Sequence, residues 1–189
     1  MEINLCFGQR IDPANGLVQP WLTHGALDEI AKMDLSEKTI LMYGAGHGDA
    51  WLAMRCKQLH VIERSLEWAA FSRGVCRIAG VNNIDYWLRP CNDSDGKSEF
   101  YMRFPDGVQP DIIINDDAYR TEVCKMAINY FRNPCQEGVL ICDNWWQDFV
   151  WKSPAAIEAL KDFRKNIHLQ ADHKDHEGDP WKTAIIFFY

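Results

Sequence analysis

A chain of 189 residues with 20 Lys and Arg against 27 Asp and Glu carries a formal charge of −7. That acidity argues against broad contact with a phosphate backbone, and so against a nucleic-acid partner. The length suits one domain that buries its own core, and a composition 47% hydrophobic and 25% charged excludes wholesale disorder.

Residues 1–20, with Pro13, Gly16 and Pro20, read as an irregular arm on a single domain spanning 1–189. The 3–4 spacing of Leu22, Ala26, Ile30 and Met33 predicts a helix over 21–33. Thr39–Tyr43 is a short apolar run that stops at glycines, as a buried parallel strand does. A helix over 49–57, a strand over 60–63 and a helix from a Ser65 cap to Gly80 follow, the last with Trp68, Phe71, Val75 and Ile78 along one stripe. Residues 83–88 read as a third strand, and 89–110 show no clear element beyond a turn at 92–96. The three successive isoleucines in 111–115 predict the strongest strand. A helix over 121–132, with Val123, Ala127, Tyr130 and Phe131 inward, leads to a strand at Gly138–Cys142. Ser153-Pro154 opens a helix running to about Lys165, by N-cap and first-turn logic. Strands at 166–170 and 183–189, separated only by a turn, must pair antiparallel. The expected fold is therefore α/β: a doubly wound, seven-stranded, mostly parallel sheet ending in an antiparallel hairpin.

Seven cysteines, an odd number with no CxxC pair, read as free thiols in a reducing, cytoplasmic setting. The first ten residues lack the apolar core of a signal peptide, and no apolar run approaches the ~18 residues that span a bilayer. No membrane partner is expected.

Chemistry concentrates at the predicted strand ends. Gly44-Ala45-Gly46-His47-Gly48 sits between the first strand and its helix, where glycine lets backbone approach a ligand, although a tight turn alone also wants glycine. Glu63 closes the next strand 19 residues after Gly44, where a carboxylate can accept both hydroxyls of a ribose. Asp116 follows the fourth strand, and Asp143 with Asn144 follows the fifth. Ligands of open α/β sheets bind outside these ends, and three such oxygen donors with room for water are how Mg²⁺ or Ca²⁺ is usually held; alternatively Asp143 and Asn144 cap the following segment and Asp116 takes a turn hydrogen bond.

These stretches resemble the class I S-adenosylmethionine-dependent methyltransferases, from about Thr39 onward and most clearly over 40–63 and 111–144. The resemblance implies a Rossmann-like methyltransferase fold and S-adenosylmethionine as cofactor. It implies Gly44, Gly46, Gly48 and Glu63 as cofactor-binding residues, with Asn92 and Asp93 beyond the third strand as further candidates. Asp116, Asp143 and Asn144 are similar to the metal ligands of the catechol and caffeoyl-CoA O-methyltransferases. That likeness implies Mg²⁺ or another divalent cation and methyl transfer to an oxygen of a small-molecule acceptor. The pattern departs from the family twice. Met42 stands where an acid usually precedes the glycine loop, and Tyr119 stands where the O-methyltransferase group has a lysine. Asp116 and Tyr119 are the catalytic candidates, Tyr119 as a hydrogen bonder or weak base.

Two weaker features complete the reading. His168, His173 and His176 with Asp172, Asp175 and Asp179 crowd the last hairpin, a composition more often solvated turn than metal site. Trp145, Trp146 and Trp151 form either core under a loop or a wall for a planar or apolar acceptor. An aminopropyltransferase of the polyamine-synthase type, or a non-catalytic S-adenosylmethionine-binding module, remains an alternative, and a homo-oligomer is compatible with either.

Overall fold

The computed structural model describes residues 8–91, 98–117, 119–132, 136–144, 164–174 and 180–189, with 98, 164–174 and 180 described by backbone alone. The expected helix from Ser153, the Trp145, Trp146 and Trp151 cluster, and Asn92 and Asp93 lie outside the described residues. His176, Asp175 and Asp179 do also, as do the side chains of His168, Asp172 and His173.

In chain order the elements are α1 (His24–Lys32), β1 (Thr39–Tyr43), α2 (Asp49–Ala53), β2 (Gln58–Glu63), α3 (Leu66–Ile78) and β3 (Ile84–Leu88). They continue with α4 (Ser98–Met102), β4 (Ile112–Asn115), α5 (Arg120–Arg132), β5 (Gly138–Cys142), β6 (Arg164–Lys174) and β7 (Pro180–Phe188). All seven expected strands are present in one sheet ordered β3-β2-β1-β4-β5-β7-β6. The first five run parallel, while β7 is antiparallel to both β5 and β6.

Why these residues make a sheet covered on both sides is visible in the alternation along the central strands. Leu41, Tyr43, Ile113 and Leu140 pack with Val123, Ala127 and Phe131 of α5. Their neighbours Ile40, Met42, Ile112, Ile114 and Ile141 pack with Leu27 and Ile30 of α1 and Trp51 and Leu52 of α2. Both faces need apolar side chains, so the strands read as unbroken apolar runs. Each fully buried Leu, Ile or Val contributes ~1.5–3 kcal/mol relative to exposure. The winding reverses between β1 and β4, which opens a crevice beyond their carboxyl ends.

Four expectations change. The Trp68, Phe71, Val75, Ile78 stripe of α3 does not face the core: Trp68 is 46% exposed and Ile78 73%. The buried side chains of α3 are the small Ala69, Ser72 and Cys76, because the helix lies close on β2 and β3. Tyr130 of α5 is half-buried, against Phe104, and Cys124 and Ile128 take the inward places instead. The short helix α4 within the unreadable stretch was not anticipated, and Arg164 and Lys165 belong to β6 rather than to a helix end. Ser65 caps α3 as expected, its Oγ accepting from the Trp68 amide at 3.3 Å.

Candidate functional site

A cavity of about 660 Å³ opens at the carboxyl ends of β1, β2 and β4. Its floor is the loop Gly44–Gly48, its walls Glu63 and Arg64 on one side and Asp116, Asp117 and Arg120 on the other. Gln9, Pro20 and Trp21 of the arm and Trp68 of α3 form the rim.

The loop turns sharply because Gly44 has φ +97°, a left-handed conformation glycine adopts without cost. A Cβ there would also lie 2.6 Å from the Asp116 carbonyl oxygen, so β4 and the loop approach to a distance only glycine permits. At Gly48 a Cβ would meet the Pro20 backbone at 2.4 Å, which seats the arm against the loop. A Cβ at Gly46 meets nothing within 4 Å, and Gly46 lines the cavity, so its space is open to a ligand.

Glu63 is 4% exposed. Its carboxylate accepts from the Ala45 amide at 2.6 Å and from the Ser65 amide at 2.6 Å, bracing the loop against the start of α3. Burial raises its pKa, and the two amide bonds oppose the rise. A carboxylate with two amide bonds keeps lone pairs for a further donor. Asp49, the first residue of α2, is wholly buried and accepts from the Gly46 amide at 3.1 Å and from Ser72 Oγ at 2.5 Å. Burial pushes it up to about 7.

On the far wall Asp116 pairs with Arg120 at 3.4 Å, and burial together with the nearby Asp143 charge pushes its pKa well up. Arg120 Nε is buried with no hydrogen-bond partner among the described residues. Asp117 accepts from Arg64 Nε at 3.3 Å and from the Tyr101 hydroxyl. Asp143, 3% exposed, is turned the other way: it accepts from Trp181 Nε1 at 2.9 Å and from Thr183 Oγ1 at 2.8 Å. Burial lifts it to about 6, held back by the Thr183 bond and the Arg120 charge.

Gly44, Gly46, Gly48, Glu63 and Asp116 thus come together at one cavity. Tyr119 does not line it; with φ +54° its ring packs 5.5 Å from the Tyr101 ring. Nor do the residues present fit a divalent cation. The Asp143 carboxylate is held toward β7 by an indole N–H and a hydroxyl, Arg120 already supplies positive charge beside Asp116, and Asn144 sits in a left-handed turn at φ +53°. Among the described residues no group of three or more His, Cys, Asp or Glu is placed to hold a metal. Met42, the departure noted before the glycine loop, lines the cavity. Sequence reasoning offered Asp117 only as a pocket acid of the aminopropyltransferase alternative, and it missed Arg64 and Arg120 as wall residues and Trp21 and Trp68 as the rim. Arg120, four residues after Asp116 just past a strand end, carried the signal that could have found it.

Cys56, Cys76, Cys124 and Cys142 are free thiols, and no described helix is long and apolar enough to cross a membrane.

No family model and no curated protein matches this chain. Solved structures do. N-methyltransferase NodS from Bradyrhizobium japonicum WM9 superposes with a TM-score of 0.59 at 14% identity, covering 87% of this chain and 93% of that one. A dimethyladenosine transferase from Plasmodium falciparum gives 0.58 at 13% identity over 88% of this chain, which spans 62% of that protein's length. O-methyltransferase TomG from Streptomyces achromogenes, solved with S-adenosylmethionine, gives 0.53 at 16% identity over 80% and 73% of the two chains. The mostly parallel sheet with its antiparallel β6–β7 end and these superpositions agree: the chain has the Rossmann-like fold of the class I methyltransferases.

Proposed function

We propose that this cavity binds S-adenosylmethionine and serves methyl transfer to an oxygen of a small-molecule acceptor. The observation that carries the reading is the meeting of the glycine loop and Glu63 at one cavity, with the space beside Gly46 left open. When bound, S-adenosylmethionine supplies an electrophilic methyl on a sulfonium.

Glu63, its carboxylate fixed by the Ala45 and Ser65 amides, accepts from ribose hydroxyls. Asp116, at the opposite wall, takes the acceptor's hydroxyl proton; its burial and the Asp143 charge make it more basic than a free carboxylate. Arg120 beside it favours an oxygen that gains negative charge, whereas it would repel a protonated amine. That preference supports oxygen over nitrogen as the acceptor atom. Trp21, 45% exposed on the rim, offers a flat apolar surface to the acceptor.

Calorimetry with S-adenosylmethionine and its demethylated product, followed by transfer of labelled methyl to a panel of phenols, alcohols and amines, tests the reading. Binding with transfer to hydroxyl acceptors is expected, unchanged by chelator. Absence of binding would overturn it, and transfer to amines alone would move the acceptor from oxygen to nitrogen.

A further inference from the structure

Beneath the glycine loop lies a buried polar cluster that the cavity wall does not include. Asp49 Oδ1 accepts from the Gly46 amide at 3.1 Å. Its Oδ2 accepts from Ser72 Oγ at 2.5 Å and from the Tyr86 hydroxyl at 3.3 Å, and those two hydroxyls share a 2.5 Å hydrogen bond. Asp49 and Ser72 are both 0% exposed, so the carboxylate is sealed from water, while Tyr86 reaches it from a half-buried position. The loop therefore rests on two carboxylates, Glu63 at Ala45 and Asp49 at Gly46, and α3 and β3 grip the second through Ser72 and Tyr86.

An acid is expensive to bury unless its position is needed, and this one has no cationic partner among the described residues. A helix of five residues would be served as well by an exposed acid at its first turn. Met42, two residues before Gly44, has no polar group with which to brace the loop from the strand side. Glu63 at the end of β2 braces Ala45, and the Gly46 amide is braced from the helix side by Asp49.

We propose that Asp49 is a positioning residue: through the Gly46 amide it holds the glycine loop in its ligand-bearing shape, with Ser72 and Tyr86 fixing the carboxylate. The assignment rests on the cavity being the S-adenosylmethionine site, but its structural half stands without that. Protonation does not undo the bond, because a neutral carboxyl keeps one oxygen that accepts the Gly46 amide. The charged or titratable groups that face Asp49 are Glu63 from β2, Cys76 from α3 and Tyr86 from β3.

The substitutions Asp49→Ala and Asp49→Asn separate position from packing. Asparagine presents the same acceptor oxygen to Gly46 and an amide to Ser72 and Tyr86, whereas alanine presents nothing. Amide hydrogen exchange of the ligand-free protein is measured for the peptide covering 44–48. Faster exchange there in Asp49→Ala, with protection returned in Asp49→Asn, is the expected result. Calorimetry with S-adenosylmethionine should follow the same order: a loss of about tenfold or more for alanine and recovery to within about threefold for asparagine. Wild-type protection in the loop of Asp49→Ala, or wild-type affinity in that variant, would overturn the proposal, as would an asparagine variant as impaired as alanine. If Asp49→Ala does not fold, Ser72→Ala and Tyr86→Phe each remove one grip and should raise loop exchange by a smaller amount; no change in either overturns it. Wild-type protein that fails to bind S-adenosylmethionine would sink the functional reading alone, while loop exchange still decides the role of Asp49.

Discussion

On the β1–β2 side of the cavity each acid holds backbone amides of the glycine loop or the turn beside it, Asp49 from beneath with Ser72 and Tyr86 behind it; on the β4–β5 side the acids are tied mainly to other side chains. Glu63 and Asp49 together receive the Ala45, Gly46 and Ser65 amides. Asp116, Asp117 and Asp143 meet Arg120, Arg64, Tyr101, Trp181 and Thr183. The first arrangement fixes backbone and suits an invariant ligand whose position must not vary. The second can be retuned by exchanging one side chain, as suits a wall that selects an acceptor.

The largest expected effect lies where the two sides touch. Gly44→Ala would place a methyl 2.6 Å from the Asp116 carbonyl oxygen and hold a non-glycine residue at φ +97°. Backbone strain and overpacking together should cost ~2–5 kcal/mol, read as a shift in the urea midpoint. Gly46→Ala, whose methyl meets nothing within 4 Å, should leave the midpoint in place and weaken S-adenosylmethionine. Equal stability of the two variants would mean that the sides do not bear on one another.

Glu63→Ala comes next, expected to weaken S-adenosylmethionine by ~1–3 kcal/mol in calorimetry while the protein stays folded. Unchanged affinity would remove the ribose assignment and with it the contrast between a fixed and a tunable side.

How much of each side was legible follows from the reach of its contacts. Ala45 and Glu63 are 18 residues apart and joined by one β-α-β unit, so the glycine spacing and the acid that ends β2 sufficed to bring them to one place. Asp143 meets Trp181 and Thr183 across 38 and 40 residues, and Arg64 meets Asp117 across 53. No local pattern marks such pairs, and a metal seemed a natural partner for Asp143 until β7 supplied an indole and a hydroxyl. The α3 stripe misled for a different reason. Its buried face is small because helix and sheet are close, so the large residues that dominate an apolar pattern lie outside. There Trp68 and Phe71 pack edge-on against His47 above the loop.

A pH titration probes both sides at once. Asp143 and Asp49 are pushed up to about 6 and about 7 by burial, above the 3.8 of a free aspartate. The folded protein therefore holds protons that the unfolded chain has released, so these two acids make stability fall as pH rises from about 4 to about 7. Thermal denaturation across that range should show the decline. Asp143→Asn should flatten its lower part, and Asp49→Asn the part that extends to about 7. Stability that rises over this range in the wild type would contradict burial of both acids.

The smallest expected effect is Arg64→Gln. Its guanidinium reaches Asp117 at 3.3 Å, but the Arg64 side chain is 38% exposed, so solvent screens the pair. A loss of ~0.2–1 kcal/mol is expected in low salt, shrinking toward zero near ~1 M salt, where screening acts over ~3 Å. Asp117 would still accept from the Tyr101 hydroxyl, so the wall keeps its shape while its charge changes. The consequence should therefore appear in the choice among acceptors rather than in S-adenosylmethionine affinity. If Arg64→Gln instead weakened S-adenosylmethionine as much as Glu63→Ala, the pair would belong to the fixed side of the cavity. The boundary between the two sides would then run between Asp117 and Asp116, not between β1 and β4.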